Sequence, residues 1–227
     1  MKGTFSVVAT PIGNLADITF RAVETLKQAD AIACEDTRVT SKLLARYGIE
    51  KPLLVYHARS GALATTRVLQ LLGEGKRVAL VTDAGTPGIS DPGTDLVRQV
   101  RDRLGEAVEI EAIPGPSALA AALSIAGLPT HEFVFLGFLP HKKGRQTLFK
   151  EIAETERAIV FYESPHRIEK ALASLAEVLP EERTVSVLRE LTKIHESVVE
   201  GSAPVVADYF MKHPQEVRGE FVVIVAP

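Results

Sequence analysis

Chemically capable side chains gather three times directly behind strand-like runs: Glu35-Asp36-Thr37-Arg38, Glu163-Ser164-Pro165-His166-Arg167 and Arg189-Glu190-Leu191-Thr192-Lys193. Functional groups at strand ends can face a cleft, and carboxylates, an imidazole and an amine there are the groups that move protons. Any one cluster also reads as a helix cap with surface ion pairs. Three of them at three strand ends favour function. Ser164-Pro165 reads as an N-cap followed by a first helical residue, which sets Glu163, His166 and Arg167 around a helix start. A fourth run, His141-Lys142-Lys143-Gly144-Arg145, carries no acid. Its Lys142, Lys143 and Arg145 suit phosphate contacts that position a nucleic acid without reading its sequence, although most short basic loops are merely solvated turns.

The stretch Asp83-Ala84-Gly85-Thr86-Pro87-Gly88-Ile89-Ser90-Asp91-Pro92-Gly93 follows an apolar strand and precedes a helix. Ligands of open parallel sheets bind beyond the carboxyl ends of strands, and glycine lets a backbone approach a ligand closely. Asp91 and Pro92 read as N-cap and first helical residue. The plain alternative is a long, well-capped connection, but the glycines and prolines exceed what a short one requires. Two further loops, Thr10-Pro11-Ile12-Gly13-Asn14 and Pro114-Gly115-Pro116-Ser117-Ala118, sit at a strand end and at the middle of the chain. Each alone reads as a turn; facing one cleft, the three would meet.

The elements that must position these groups follow from the alternation of β-branched runs with amphipathic segments, the pattern of βα units and a largely parallel sheet. Strands are expected near Phe5–Thr10, Ala31–Cys34, Leu53–His57, Arg77–Thr82 and Val108–Ile113. Helices fit near Thr19–Gln28, Arg38–Tyr47, Gly61–Leu72 and Gly93–Leu104. Pro114-Gly115-Pro116 then interrupts helix and sheet alike, so the expected domains are 1–113 and 114–227. The second half begins with a small-residue helix, Ser117–Ala126, and offers strands near Phe133–Phe138, Arg157–Tyr162, Thr184–Arg189, Glu196–Glu200 and Glu220–Val225. Its other helices lie near Arg145–Glu154, His166–Leu179 and Val205–Lys212. Because the last strands follow one another with little helix between them, the second sheet is expected to be mixed.

At 227 residues and 46% hydrophobic content, the chain can bury one large core or two small ones. A net charge of −3 argues against a wholly basic nucleic-acid-binding surface but leaves room for a local basic patch. The single Cys34 excludes an internal disulfide and a multi-cysteine zinc site, and reads as a small buried residue. No run approaches the roughly 20 apolar residues of a membrane span, and the N-terminus lacks a signal-peptide pattern, so the expected location is the cytoplasm. P-loop, G-x-G-x-x-G, G-x-S-x-G and H-E-x-x-H patterns are missing, which disfavours the common nucleotidases, dinucleotide enzymes and hydrolases.

In order along the chain, TPIGNLADIT, ACEDTR, VTDAGTPGISDPG, IPGPSAL, GFLPHKKGR, FYESPHR, RELTKIHE and GEFVVIV resemble the tetrapyrrole methylase superfamily, and within it the branch that methylates a ribose 2′-oxygen in small-subunit ribosomal RNA. The resemblance implies an α/β fold of two α/β domains, with a parallel-sheet N-terminal domain, a mixed-sheet C-terminal domain and the cofactor cleft between them. It implies a homodimer, S-adenosyl-L-methionine as cofactor, and a cytidine in the decoding region of 16S rRNA as target. By motif position the cofactor contacts are Pro11, Ile12, Gly13, Asp83, Ala84, Gly85, Ile89, Ser90, Asp91, Ser117 and Ala118, with Tyr162 and Gly219. Arg38, Lys142, Lys143, Arg145, Arg167 and Arg189 are the expected RNA contacts. Many members of this branch continue past the last strand into a small helical segment, whereas this sequence runs to Ala226-Pro227. If that segment helps to hold RNA, its absence bears on the substrate more than on the cofactor.

Methyl transfer to a hydroxyl needs oxygen, methyl carbon and sulfur nearly in line and a group to take the proton. Asp36, Glu163, His166 and Lys193 are the expected candidates, and no metal is required. Two other readings share the sequence: a methylase acting on a small tetrapyrrole, which ACEDTR and FYESPHR disfavour, and a non-catalytic module assisting ribosome assembly, which the intact charged clusters disfavour.

Overall fold

The computed structural model describes residues 2–57 and 62–227, so the expected helix start at Gly61 lies outside the described residues. The chain divides into two compact units, Met1–Ser117 and Ala118–Pro227.

The first unit runs β1 (Gly3–Val8), α1 (Phe20–Gln28), β2 (Ala31–Cys34), α2 (Thr37–Arg46), β3 (Leu53–Val55), α3 (Ala62–Gly73), β4 (Arg77–Leu80), α4 (Thr94–Leu104) and β5 (Val108–Ile113). Its sheet has the order β3-β2-β4-β1-β5 with every neighbouring pair parallel. Successive strand residues point to opposite faces. Phe5, Val78 and Leu80 join Val68, Leu72, Leu96 and Val100 of α3 and α4, while Val8, Ile32 and Cys34 join Ala22, Leu26 and Leu44 of α1 and α2. Helices therefore cover both faces, which is why the inner strand β2, Ala31–Cys34, is apolar throughout instead of alternating. The chain leaves β1 over one face and leaves the adjacent β4 over the other, so the winding reverses between these two strands, where open α/β sheets bind ligands.

The second unit runs α5 (Ala118–Ile125), β6 (Phe133–Phe138), α6 (Arg145–Glu154), β7 (Ala158–Glu163), α7 (Ile168–Val178), β8 (Thr184–Arg189), β9 (Ser197–Ser202), α8 (Ala203–Lys212) and β10 (Phe221–Val225). The sheet order is β6-β7-β10-β8-β9; only β6 and β7 pair in parallel, so it is mixed as expected. One face is covered by α6, α7 and α8, whose Phe149, Ile152, Leu172, Leu175, Val206 and Phe210 are all buried against Phe161, Val187, Phe221 and Val223. Each such side chain contributes roughly 1.5–3 kcal/mol by leaving water. Buried Arg183 ties the unit together: Nε donates to Ala226 O at 2.7 Å, Nη1 to Ile152 O and Ala153 O at 2.7 and 2.8 Å, and Nη2 to Thr155 O at 2.7 Å.

Two expected helix caps are displaced, and α8 begins at Ala203, two residues ahead of the expected Val205. The cap of α4 is Gly93, whose carbonyl accepts from Val97 N at 2.9 Å, and not Asp91; a φ of 147° and the closing of the long loop place the helix two residues later. Helix α7 begins at Ile168 and not beside Ser164-Pro165, because the Ser164 carbonyl accepts from both Arg167 N and Ile168 N at 3.0 Å, which forms a tight turn ahead of the helix. No helix among the described residues is long and apolar enough to cross a membrane.

Candidate functional site

In the first unit, the loops following β1, β2, β4 and β5 are laced together. Thr10 N donates to Gly85 O at 2.9 Å and Gly85 N to Thr10 O at 3.0 Å, an isolated antiparallel bridge at the point where the winding reverses. Thr10 Oγ1 donates to Thr82 O at 3.2 Å, Thr86 Oγ1 to Pro116 O at 3.1 Å, and Asp36 N to Asp83 Oδ1 at 3.0 Å. The fold thus brings Pro11, Ile12, Gly13, Asp83, Ala84, Gly85, Ile89, Ser90, Asp91 and Ser117 to one edge of the sheet, with Asp36 and Arg38 beside them. Pro11 and Ile12 are buried under the bridge, whereas Gly13, Asp83, Ile89 and Ser90 are exposed. Gly85 has φ 75° and Gly88 φ 86°, left-handed conformations that an L side chain adopts only under strain; Ser90 accepts that strain at φ 65°.

Asp36 caps α2 through its acceptance of Arg38 N at 2.8 Å, and the Arg38 guanidinium closes on the same carboxylate at 2.5 Å. The Arg38 side-chain hydrogen bond first, and then its backbone N–H, hold Asp36 well below the usual range, at about 2. Neighbouring Glu35 is pushed the other way, by burial and then by the negative charge of Asp83, and burial likewise raises the Cys34 thiol.

In the second unit, the residues following β6, β7 and β8 meet those preceding β9 and β10 along one sheet edge, where Glu163, Phe221, Arg189 and Ser197 are consecutive cross-strand neighbours. Glu163 is fully buried; its Oε2 accepts from Arg167 Nη2 at 2.9 Å and lies 3.7 Å from Arg145 Nη1. Tyr162 stacks edge-on against Phe135 and Phe138, His166 is exposed on the turn, and Lys142 and Lys143 are exposed in the β6–α6 connection. Ala118, expected to touch cofactor, opens α5. Arg189, expected to meet RNA, turns inward to donate to Arg218 O at 2.8 Å and His195 O at 3.1 Å.

Lys193 Nζ donates to Glu190 Oε1 at 2.8 Å and Glu220 Oε2 at 3.0 Å, and Glu190 Oε1 also accepts from Glu220 N at 3.0 Å. Burial works to raise the Glu190 carboxyl, but the hydrogen bonds from Lys193 and the Glu220 amide outweigh it and hold it below its ordinary value. Burial works equally against the Lys193 ammonium, and its two carboxylate partners outweigh that and hold it above its ordinary value. Glu190 and Thr192 take left-handed backbone, φ 52° and 66°. Gly219, φ 85°, packs so closely on Glu190 that a Cβ there would stand 2.2 Å from its Oε1.

The sequence reading overlooked Glu190 and Glu220 as partners of Lys193, and Thr10 and Thr86 as the hydroxyl residues that lace the loops. The i, i+3 spacing of Glu190 and Lys193 was a usable signal, but no local pattern announces a left-handed glutamate or a bond from residue 86 to residue 116. Among the described residues no group of His, Cys, Asp and Glu is placed to hold a metal ion.

A model of the tetrapyrrole (corrin/porphyrin) methylases matches residues 4–206. A Thermotoga maritima protein named ribosomal RNA small subunit methyltransferase I is 42% identical over 99% of this chain and 98% of its own. A Synechocystis protein of the same name is 47% identical over 99% of this chain and 79% of its own. The solved uroporphyrin-III-C-methyltransferase of Thermus thermophilus superposes with a TM-score of 0.69 over 99% of this chain and 94% of that one, at 19% identity, a likeness of fold. With a family match along most of its length and relatives 42% and 47% identical over 99% of it, the chain belongs to the tetrapyrrole (corrin/porphyrin) methylase family.

Proposed function

We propose that this chain is a cytoplasmic S-adenosyl-L-methionine-dependent methyltransferase that acts, as a homodimer, on the ribose 2′-oxygen of a cytidine in the decoding region of 16S rRNA. The observation that carries the substrate class is identity above 40% along the whole chain with relatives named for ribosomal RNA. A solved cobalt precorrin-4 methyltransferase of cobalamin biosynthesis and the uroporphyrin-III-C-methyltransferase share only 19%, so the small-molecule reading has the weaker support.

The loops behind β1, β2, β4 and β5 fit the cofactor. Exposed Gly13 and Ser90, exposed Asp83 and exposed Ile89 offer amides, a hydroxyl and amine acceptor, and apolar surface together, which an amino-acid nucleoside requires. When bound, S-adenosylmethionine supplies the methyl group.

Taking the hydroxyl proton falls to the chain. Asp36, held at about 2 and folded into a helix cap, is a weak base. Lys193 is kept cationic by two carboxylates, which suits it to hold an anionic oxygen. Glu163 is enclosed by arginines. His166 is exposed on the turn behind β7, and imidazole is the side chain most often used as a general base, so we assign proton acceptance to a ring nitrogen of His166.

Mass mapping of 16S rRNA from cells with and without the gene tests the substrate, and calorimetry on ligand-stripped protein tests the cofactor. Loss of one ribose methyl group and binding of S-adenosylmethionine are expected. Identical methylation maps refute the rRNA assignment, and absence of heat at protein concentrations far above micromolar refutes the cofactor.

A further inference from the structure

Glu163 ends β7 amid residues suited to chemistry, yet its carboxylate has no exposed surface. Oε1 accepts from Ser164 N at 2.9 Å; Oε2 accepts from Arg167 Nη2 at 2.9 Å and faces Arg145 Nη1 at 3.7 Å. Each arginine reaches onward. Arg167 Nη2 donates to Leu139 O at 2.5 Å, and Arg145 Nη1 donates to Pro140 O at 3.2 Å, with its guanidinium carbon 5.1 Å above the Phe149 ring. Leu139 and Pro140 are the residues that lead into exposed His141, Lys142 and Lys143.

One carboxylate thus holds two guanidiniums, and these hold two successive carbonyls at the root of the basic loop. A group whose oxygens are all engaged internally cannot take a proton from a bound ribose. Two cations face one anion, so the cluster carries an excess of positive charge, and its Arg145 Nη2 and Arg167 Nε are buried without a hydrogen-bond partner. Buried charges that depend on a single counter-ion lose their arrangement when it is removed.

We propose that Glu163 is a positioning residue: through Arg145 and Arg167 it fixes the 139–145 loop so that Lys142 and Lys143 meet RNA phosphates in a set geometry. The proposal rests on the ribosomal RNA reading for its ligand, but not for its mechanics. Glu163→Gln removes the counter-charge at nearly unchanged volume. In the native protein, without RNA, trypsin cleavage after Lys142 and Lys143 is expected to quicken by about tenfold or more as the loop opens locally, while S-adenosylmethionine affinity stays put.

With small subunits lacking the modification, KM should rise several-fold and its salt dependence flatten, kcat at saturating subunits should hold, and Glu163→Asp should restore part of the KM. On a Lys142→Ala/Lys143→Ala background, Glu163→Gln should add no further KM penalty, a non-additivity that general destabilisation does not produce. Arg145→Met, which leaves the Glu163–Arg167 pair in place, should repeat the loop opening and the KM rise should Glu163→Gln fold poorly. Unchanged cleavage in both variants overturns the proposal, as does a fall in kcat with KM intact, which would make Glu163 a catalytic group. Failure of the parent to bind small subunits would overturn the RNA reading alone, since loop cleavage still decides the role of Glu163.

Discussion

Gly219→Ala should destabilise the second unit by an amount that depends on Glu190. An alanine at φ 85° costs about 1–2 kcal/mol in left-handed strain. Its Cβ would also lie 2.2 Å from Glu190 Oε1, 2.3 Å from Cδ and 2.6 Å from Cγ, so the glutamate must leave. In leaving, it gives up bonds from Lys193 at 2.8 Å and Glu220 N at 3.0 Å, and hydrogen bonds to charged groups contribute roughly 1.5–3 kcal/mol. The single substitution should therefore cost about 2.5–5 kcal/mol, lowering Tm by roughly 5–20 °C in a chain of this size. Glu190→Ala removes the obstacle. In that background only the left-handed strain remains, so Gly219→Ala should cost about 1–2 kcal/mol, and the double-mutant cycle should show roughly 1.5–3 kcal/mol of coupling. Urea or thermal denaturation of the four proteins measures it. Strict additivity would refute the claim that the glycine exists to admit the Glu190 carboxylate.

Asp36 titrates at about 2 when folded against an ordinary 3.8, so it stabilises the fold above pH 4 and loses that contribution as pH falls from about 4 to about 2. Asp36→Asn should remove this part of the acid-induced fall in Tm; an unchanged acid limb means the cap and the Arg38 contact do not matter. Arg183→Ala leaves carbonyls of Ile152, Thr155 and Ala226 buried or short of a donor, and a loss of about 3–5 kcal/mol in chemical denaturation is expected. Gly85→Val should abolish calorimetric binding of S-adenosylmethionine and leave circular dichroism intact, since the left-handed bridge residue stands at the reversal of winding; undiminished affinity would make the loop a plain connection. His166→Asn should slow single turnover without changing RNA affinity, and an unchanged rate moves the proton acceptor elsewhere.

Local pattern was enough for the elements. The apolar runs Ala31–Cys34 and Val78–Leu80 carry no alternation, as suits strands covered on both faces, and the Pro114-Gly115-Pro116 interruption lies just ahead of the junction between the two compact units at Ser117. The glycine-rich loops were legible because glycine and proline restrict the backbone wherever they occur. Strand order was not legible: β1 lies between β4 and β5, and β10 between β7 and β8, through pairings of residues distant in sequence. The charged clusters divide in the same way. Residue type marks Glu163, Arg145 and Arg189 as capable of chemistry, but only burial shows their hydrogen bonds spent on the protein's own carbonyls and ion pairs. A charged side chain at a strand end has the same local sequence whether it faces water or the interior. Which it faces is settled by the packing of segments far along the chain, because desolvation and pairing are properties of the assembled surroundings and not of neighbours in sequence.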